Sequence, residues 1–270
     1  MQTEMELKEK AKQLRREIIK MIGPGKVGHF GGSMSLAEIV TVLYFQKMKY
    51  DPQNPKLEGR DRLILSKGHA APVQYTAMAL AGFFPLEELQ TLKKLGSRLQ
   101  GHPNLKLLPG IEANTGSLGQ GLSMGIGIAL AERAKNQTGR VYVILGDGES
   151  QEGQVWEAVM AAANFGLNRL TAIVDHNKLQ ATGAIGSRME VGSLPEKWKA
   201  FGWNVCEVDG HDIAQLSAAF DQAEQYTQGP TVIIAHTIKG KGVSFMENVA
   251  KYHNGALTEA EYQQVLAELA

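Results

Sequence analysis

Two short polar runs, each following an apolar stretch, carry the most chemistry in this chain. One is Gly146-Asp147-Gly148; the other, thirty positions beyond the aspartate, is Asn177 within Asp175-His176-Asn177-Lys178. Asp147 offers a hard anionic oxygen and Asn177 a neutral amide oxygen. That pair suits Mg²⁺, which takes oxygen ligands in near-octahedral geometry and completes its shell from phosphates and water. Gly148 lets backbone come close to a phosphate. Gly-Asp-Gly alone is also an ordinary turn sequence; the apolar runs that feed both halves favour a magnesium-diphosphate site.

Four of the seven histidines, His29, His69, His102 and His211, directly follow a glycine, more than the glycine content of the chain accounts for. A Gly-His pair sets the imidazole on a sharp turn, from which it reaches into a cleft. Zinc is disfavoured, because no His-x-x-x-His spacing occurs and a single cysteine removes thiolate ligands. His211 precedes Asp212, a natural N-cap, and reads as part of a turn before a helix. Lys239 follows an apolar run that ends near Ala235, where an ammonium serves either as a point charge for phosphate or as a solvated surface group.

These residues need a frame. Residues 141–145 and 170–174 read as the strands feeding Asp147 and Asn177, and ligands in open parallel sheets bind at the carboxyl ends of neighbouring strands. Further strands are expected at 62–65, 205–208 and 231–235. Helices are expected at 7–22, 70–80, 119–134, 154–165 and 213–226, with a short terminal helix capped by Thr258 and Glu261. Ser35-Leu36-Ala37-Glu38 has capping-box form ahead of the apolar residues Ile39, Val40, Leu43, Tyr44 and Phe45. This alternation implies an α/β class, a parallel sheet with helices on both faces. In 119–134, Gly121, Gly125 and Gly127 lower helix propensity but permit close backbone approach, the mark of a buried helix or an interface. The Gly-bearing segments 182–192 and 240–255 are candidates to close over a ligand.

With 43% hydrophobic and 21% charged residues, all 270 positions fit one domain with one large core. Twenty-eight basic and 28 acidic side chains cancel, which argues against nucleic acid or an anionic membrane as partner. The lone Cys206 cannot form an internal disulfide and lies in an apolar run, fitting a reducing, cytoplasmic setting. The N-terminal segment is charged throughout, and no stretch approaches the roughly 18 apolar residues of a spanning helix.

The spaced Asp147 and Asn177 resemble the thiamine-diphosphate fingerprint, and the flanking residues are similar to the transketolase family. The resemblance rests on Gly28-His29, Ser66-Lys67-Gly68-His69, Gly101-His102-Pro103, Thr115-Gly116-Ser117-Leu118-Gly119-Gln120-Gly121, the run 146–153, Val208-Asp209-Gly210-His211, the run 236–242 and His253-Asn254-Gly255, in the family's order. It implies the family's diphosphate-binding (PP) fold. It also implies Mg²⁺ held by Asp147, Asn177 and the Leu179 carbonyl, with the Gly148 N–H, His69, His253 and Lys239 on the cofactor diphosphate. Backbone of Gly116 and Leu118 would contact the aminopyrimidine. His29 and His102 would meet the donor sugar's hydroxyls, and His29, His69, His102 and His253 are the candidate catalytic groups. Glu152 and Glu157 correspond to glutamates of the family's dimer interface; otherwise they are acids at an exposed helix start.

The implied reaction moves a two-carbon ketol unit from a ketose phosphate to an aldose phosphate, as in the pentose phosphate pathway. The segments belong to the family's diphosphate half. The expectation is therefore an N-terminal subunit that works with a second chain bearing the pyrimidine-binding and C-terminal domains, in an α2β2 heterotetramer. Phe30 stands where the family often has proline after the first histidine, and Ser117 where proline is common, so the donor sugar is open. A split transketolase for a modified sugar is one alternative. Another is the α subunit of a 2-oxoacid dehydrogenase, which needs no set of histidines to read a polyhydroxy chain. Deoxyxylulose-phosphate synthase is normally one longer chain, and a non-catalytic binding protein would not need every cofactor position suitably filled.

Overall fold

Four of the five apolar runs become strands that bury aliphatic side chains on both sides between two helical layers, while the fifth, at one edge of the sheet, buries chiefly Cys206 and Val208. The computed structural model describes residues 2–270. The strands are β1 (Arg62–Leu65), β2 (Val141–Gly146), β3 (Leu170–His176), β6 (Asn204–Asp209) and β7 (Thr231–His236), all parallel in the order β1-β2-β3-β7-β6. β4 (Leu179–Gln180) and β5 (Gly183–Ala184) form a small antiparallel ribbon outside that sheet.

Alternate side chains face opposite layers. On one side Leu63, Tyr142, Ile144, Ile173 and Ile233 pack under α1 (Glu4–Ile22), α3 (Ala37–Val42), α4 (Ala71–Leu80) and α8 (Ile213–Gln225). On the other, Ile64, Val143, Leu145, Ala172 and Val232 pack under α5 (Gly121–Ala134), α6 (Gly153–Asn164) and α7 (Leu194–Ala200), with Trp198 fully buried among them. Among the described residues the two remaining α-helices are a single turn, α2 (Gly31–Met34), and α9 (Glu259–Glu268). Among the described residues no helix is long and apolar enough to cross a membrane.

The expected elements are present with ends moved by a residue or a few. α1 begins at a Thr3–Glu6 capping box, α9 at the expected box of Thr258 and Glu261, and α8 at Asp212, whose carboxylate accepts from the Ala214 and Gln215 N–H groups. The box expected at Ser35–Glu38 does not form. Ser35 Oγ donates to Asp175 at 2.7 Å, and Glu38 makes a buried fork with Arg15, both bonds 2.6 Å. Partners distant in sequence outcompete the local cap.

α5 is buried on one face only. A Cβ at Gly121 would collide with Ser66, and one at Gly125 would fall 2.5 Å from Val143, so these two glycines let α5 settle directly on β1 and β2. Gly127 meets nothing within 4 Å and lies on the exposed face.

Candidate cofactor and sugar site

The register pairs Gly146 with Asp175 and Asp175 with Ala235, so the loops after β2, β3 and β7 open side by side at the carboxyl edge of the sheet. There they enclose a cavity of about 350 Å³ whose walls include Asp147, Gly148, Asn177, Leu179, Lys239, His69, His253 and Leu118. Eight residues expected from the sequence to serve one site thus share one cavity. Glu152 stands at its rim, packed against Gly119, whereas Glu157 is on the exposed face of α6.

Asp147 is buried at the start of a helical turn, Gly148–Gln151, and its carboxylate accepts from the N–H groups of Gly148, at 2.7 Å, and Lys178. Burial, with the nearby negative Asp175, pushes its carboxyl up to about 6. The Asn177 Oδ1 accepts from the Leu179 N–H at 3.1 Å while its Nδ2 donates to Asp175 at 3.0 Å, which fixes which end of the amide is oxygen. Lys239 Nζ donates to the Leu179 carbonyl at 2.9 Å. Burial, then the Lys67 charge, lowers its ammonium to about 8.

A carboxylate, an amide oxygen and a backbone carbonyl form a hard donor set that fits Mg²⁺. The adjacent Lys239 ammonium and the buried, unpartnered Nδ1 of His253 suit phosphate oxygens. The residues present therefore fit a magnesium diphosphate.

His29 and His102 lie beside this cavity. The ring centroid of His29 is 5.2 Å from that of His69, 5.7 Å from His253 and 6.3 Å from His102, and His69 and His253 are 4.9 Å apart. Four separate segments are held to this geometry. The backbones of Gly28 and Gly255 bond to each other at 2.9 and 3.1 Å, tying the His29 and His253 segments together. Tyr75 donates to the His102 carbonyl at 3.0 Å. Gly116, at φ 134°, lies so close to the His102 ring that a Cβ would be 2.6 Å from it. Only glycine meets both demands.

Burial is the main cause that lowers all four imidazoles, holding His29 to about 4 and His253 to about 3, with His69 and His102 also below the ordinary range. Near neutral pH the rings are uncharged. Each then has one N–H to donate and one nitrogen to accept, the pairing that sugar hydroxyls need.

Three supporting groups were not expected from the sequence to serve the site. Asp175, fully buried, accepts from Lys67, Ser35, Asn177 and Thr237. Burial alone would raise its carboxyl, but the Lys67 ammonium and the donated hydrogen bonds hold it below the usual range. Glu149, raised by burial, accepts from the N–H groups of Gly119 and Gly146, each at 2.9 Å, and from Ser66. His211, expected only as a turn residue, bridges Glu38 at 2.9 Å and the Ile238 N–H at 2.8 Å. The available signal was a charge at the end of an apolar run, directly after it for Asp175 and one residue on for Lys67.

A parallel α/β layer with hard oxygens and ammonium groups at its carboxyl edge, beside a histidine cluster, has the make-up of a diphosphate-binding domain. Residues 7–270 match the family described as transketolase, thiamine diphosphate binding domain, and the chain belongs to that family. It is 44% identical over 266 residues to the 6-deoxy-6-sulfo-D-fructose transketolase subunit SqwG of Clostridium sp. (strain MSTE9), covering 98% of this chain and 97% of that one. It is 40% identical over 256 residues to one of the subunits of apulose-4-phosphate transketolase from Phocaeicola vulgatus, covering 95% and 91%. The crystal structure of transketolase from Campylobacter jejuni superposes with a TM-score of 0.92 at 32% identity, over 100% of this chain and 43% of that one. The chain thus spans about two fifths of that solved transketolase.

Proposed function

We propose that this chain is the diphosphate-binding subunit of a two-chain, thiamine-diphosphate-dependent transketolase that moves a two-carbon ketol unit from a ketose to an aldose. The observation that carries the reading is the single cavity shared by Asp147, Asn177, Leu179 and Lys239, beside the four-histidine cluster. Asp147, Asn177 and the Leu179 carbonyl would hold Mg²⁺; Gly148, His69, His253 and Lys239 would take the diphosphate oxygens. Backbone of Gly116 and Leu118 would border the aminopyrimidine. When bound, the cofactor supplies the carbanion chemistry. The protein's part is to orient the sugar: neutral His29 and His102 donate to and accept from its hydroxyls, and His69 and His253 can exchange protons at the same place.

The pyrimidine-binding and C-terminal domains would come from a second chain. In support, two relatives that match this chain nearly end to end are themselves named as subunits. Leu118, Met124 and Met160 are exposed on and beside α5 and α6, near Glu152 and Glu157. Apolar side chains left uncovered there suit a partner surface. An α2β2 assembly would be in keeping with the closed symmetry most oligomers adopt, and the free Cys206 fits the cytoplasm.

For the donor we favour a modified ketose carrying an anionic group over the common pentose and hexose phosphates, because those two relatives are named for a sulfonated and a phosphorylated unusual sugar. The test is an activity titration of this chain, with thiamine diphosphate and Mg²⁺, against rising amounts of the partner from a neighbouring reading frame. Xylulose 5-phosphate and 6-deoxy-6-sulfofructose serve as parallel donors. Saturation near one-to-one supports the two-chain reading, and full activity without partner refutes it.

A further inference from the structure

One cation stands beside the histidine cluster on a loop that the proposed function leaves unused. Lys93 is exposed, with backbone in the left-handed region at φ 59°, where a lysine is uncommon. Its loop is fixed on several sides. The Lys93 N–H donates to the Leu99 carbonyl at 2.9 Å, Thr91 and Ser97 share a hydroxyl bond at 2.7 Å, and Arg98 is forked onto Glu88.

From there the side chain runs along Gly101, where a Cβ would be 3.2 Å from the lysine Cε, and Nζ donates to the Val27 carbonyl at 3.1 Å. Gly101 immediately precedes His102, and Val27 lies two residues before His29. The lysine therefore touches both loops that carry the pair expected to read the sugar.

We propose that Lys93 is a positioning residue for His29 and His102: it ties their two loops together and keeps a fixed positive charge beside both rings. This rests on the assignment of that pair to the donor side of the site. Burial is the larger influence lowering both imidazoles, and Lys93 is the first charge after it in each case. The other groups facing His29 are the imidazoles of His69, His102 and His253 and the ammonium of Lys239 after β7; those facing His102 are His29 and Lys93. None of these is an acid, so nothing offsets the lysine. By disfavouring a second positive charge, Lys93 adds to burial and extends further into acid the range in which both rings are neutral, able to accept as well as donate.

The test follows the two rings directly, by NMR titration of ¹³C-labelled histidine in the full chain, with assignments from His29→Gln and His102→Gln. Lys93→Asn removes the charge while tolerating the left-handed backbone; Lys93→Glu reverses it; Lys93→Arg keeps it. The Asn variant is expected to raise the midpoints of both rings by roughly half a pH unit, the effect of one partly screened charge. The Glu variant should raise them further, the Arg variant should leave them near the parent, and 0.5 M salt should shrink the differences. His29 and His102 midpoints that do not move in the Asn and Glu variants would overturn the inference. In the assembled enzyme the acid limb of kcat/KM for the donor should move up in step and return with Arg. Midpoints that move while that limb stays fixed would instead refute the donor-side assignment of the pair.

Discussion

Asp175→Asn is the sharpest perturbation of the site's foundation, because the side chain keeps its shape and loses only its charge and one acceptor. In the parent, Oδ2 receives Lys67 Nζ, Ser35 Oγ at 2.7 Å and Asn177 Nδ2 at 3.0 Å, while Oδ1 receives Thr237 Oγ1. An asparagine amide can serve the three donors with its oxygen only by turning its NH₂ toward Thr237, whose hydroxyl can rotate to accept. The hydrogen bonds are then largely kept, and the loss concentrates on Lys67. That ammonium is buried and keeps only neutral acceptors, the new amide oxygen and the Gly32 carbonyl at 3.0 Å, with no negative charge beside it.

Removing one member of a buried pair and stranding the other costs about 3–5 kcal/mol. A loss of roughly 3 kcal/mol on urea unfolding is therefore expected for Asp175→Asn. Adding Lys67→Met should recover much of it, because the stranded charge leaves with the lysine, giving a coupling of about 2 kcal/mol in the double-mutant cycle. Additive losses within about 0.5 kcal/mol, or a single-variant loss below about 1 kcal/mol, would refute the claim that the pair is a buried, interdependent unit.

Asp147→Ala and Asn177→Ala each remove an oxygen ligand and are expected to abolish Mg²⁺-dependent thiamine diphosphate binding in calorimetry on the assembled complex; unchanged affinity in both would sink the metal assignment. His102→Ala should lower ketol transfer by about 10²-fold with cofactor affinity near the parent's, and an equal loss of cofactor binding would move His102 out of the sugar-reading pair. For pH, Arg15 and His211 outweigh the burial of Glu38 and hold its carboxyl at about 2 rather than 4.5. A depressed acid stabilises the fold above its unfolded value and loses that contribution as pH falls from about 4.5 to 2, here on the order of 3 kcal/mol. Glu38→Gln should flatten that acid limb of stability in denaturant titrations, and an unaltered slope would count against it. Gly125→Val drives side-chain atoms into Val143 and should destabilise by about 1–3 kcal/mol, whereas Gly127→Ala, on the open face, should be neutral or slightly stabilising on thermal melting.

What the sequence made readable was whatever depends on neighbours along the chain. Asp147 and Asn177 could be placed because each follows an apolar run, and in a parallel sheet the end of such a run is the ligand edge. Thr258 could be placed because its partner Glu261 is three residues away. Ser35 and Glu38 have the same spacing and the opposite outcome. Arg15, which without Glu38 would lack its carboxylate, and Asp175, a buried carboxylate that gathers donors, draw those two side chains away, and satisfying a buried charge outweighs a cap worth about 1 kcal/mol. Lys67 and Asp175 lie inside readable motifs, but their pairing was hidden for the same reason: 108 residues separate them. Glu149 lay inside the run that drew attention to Asp147, yet its partners Ser66 and Gly119 come from two other segments. The groups a cofactor or sugar would touch sit on motifs that sequence can display. The groups that aim them are pairs made only when the strands come together, so the geometry of the site depends most on side chains that no local pattern announces.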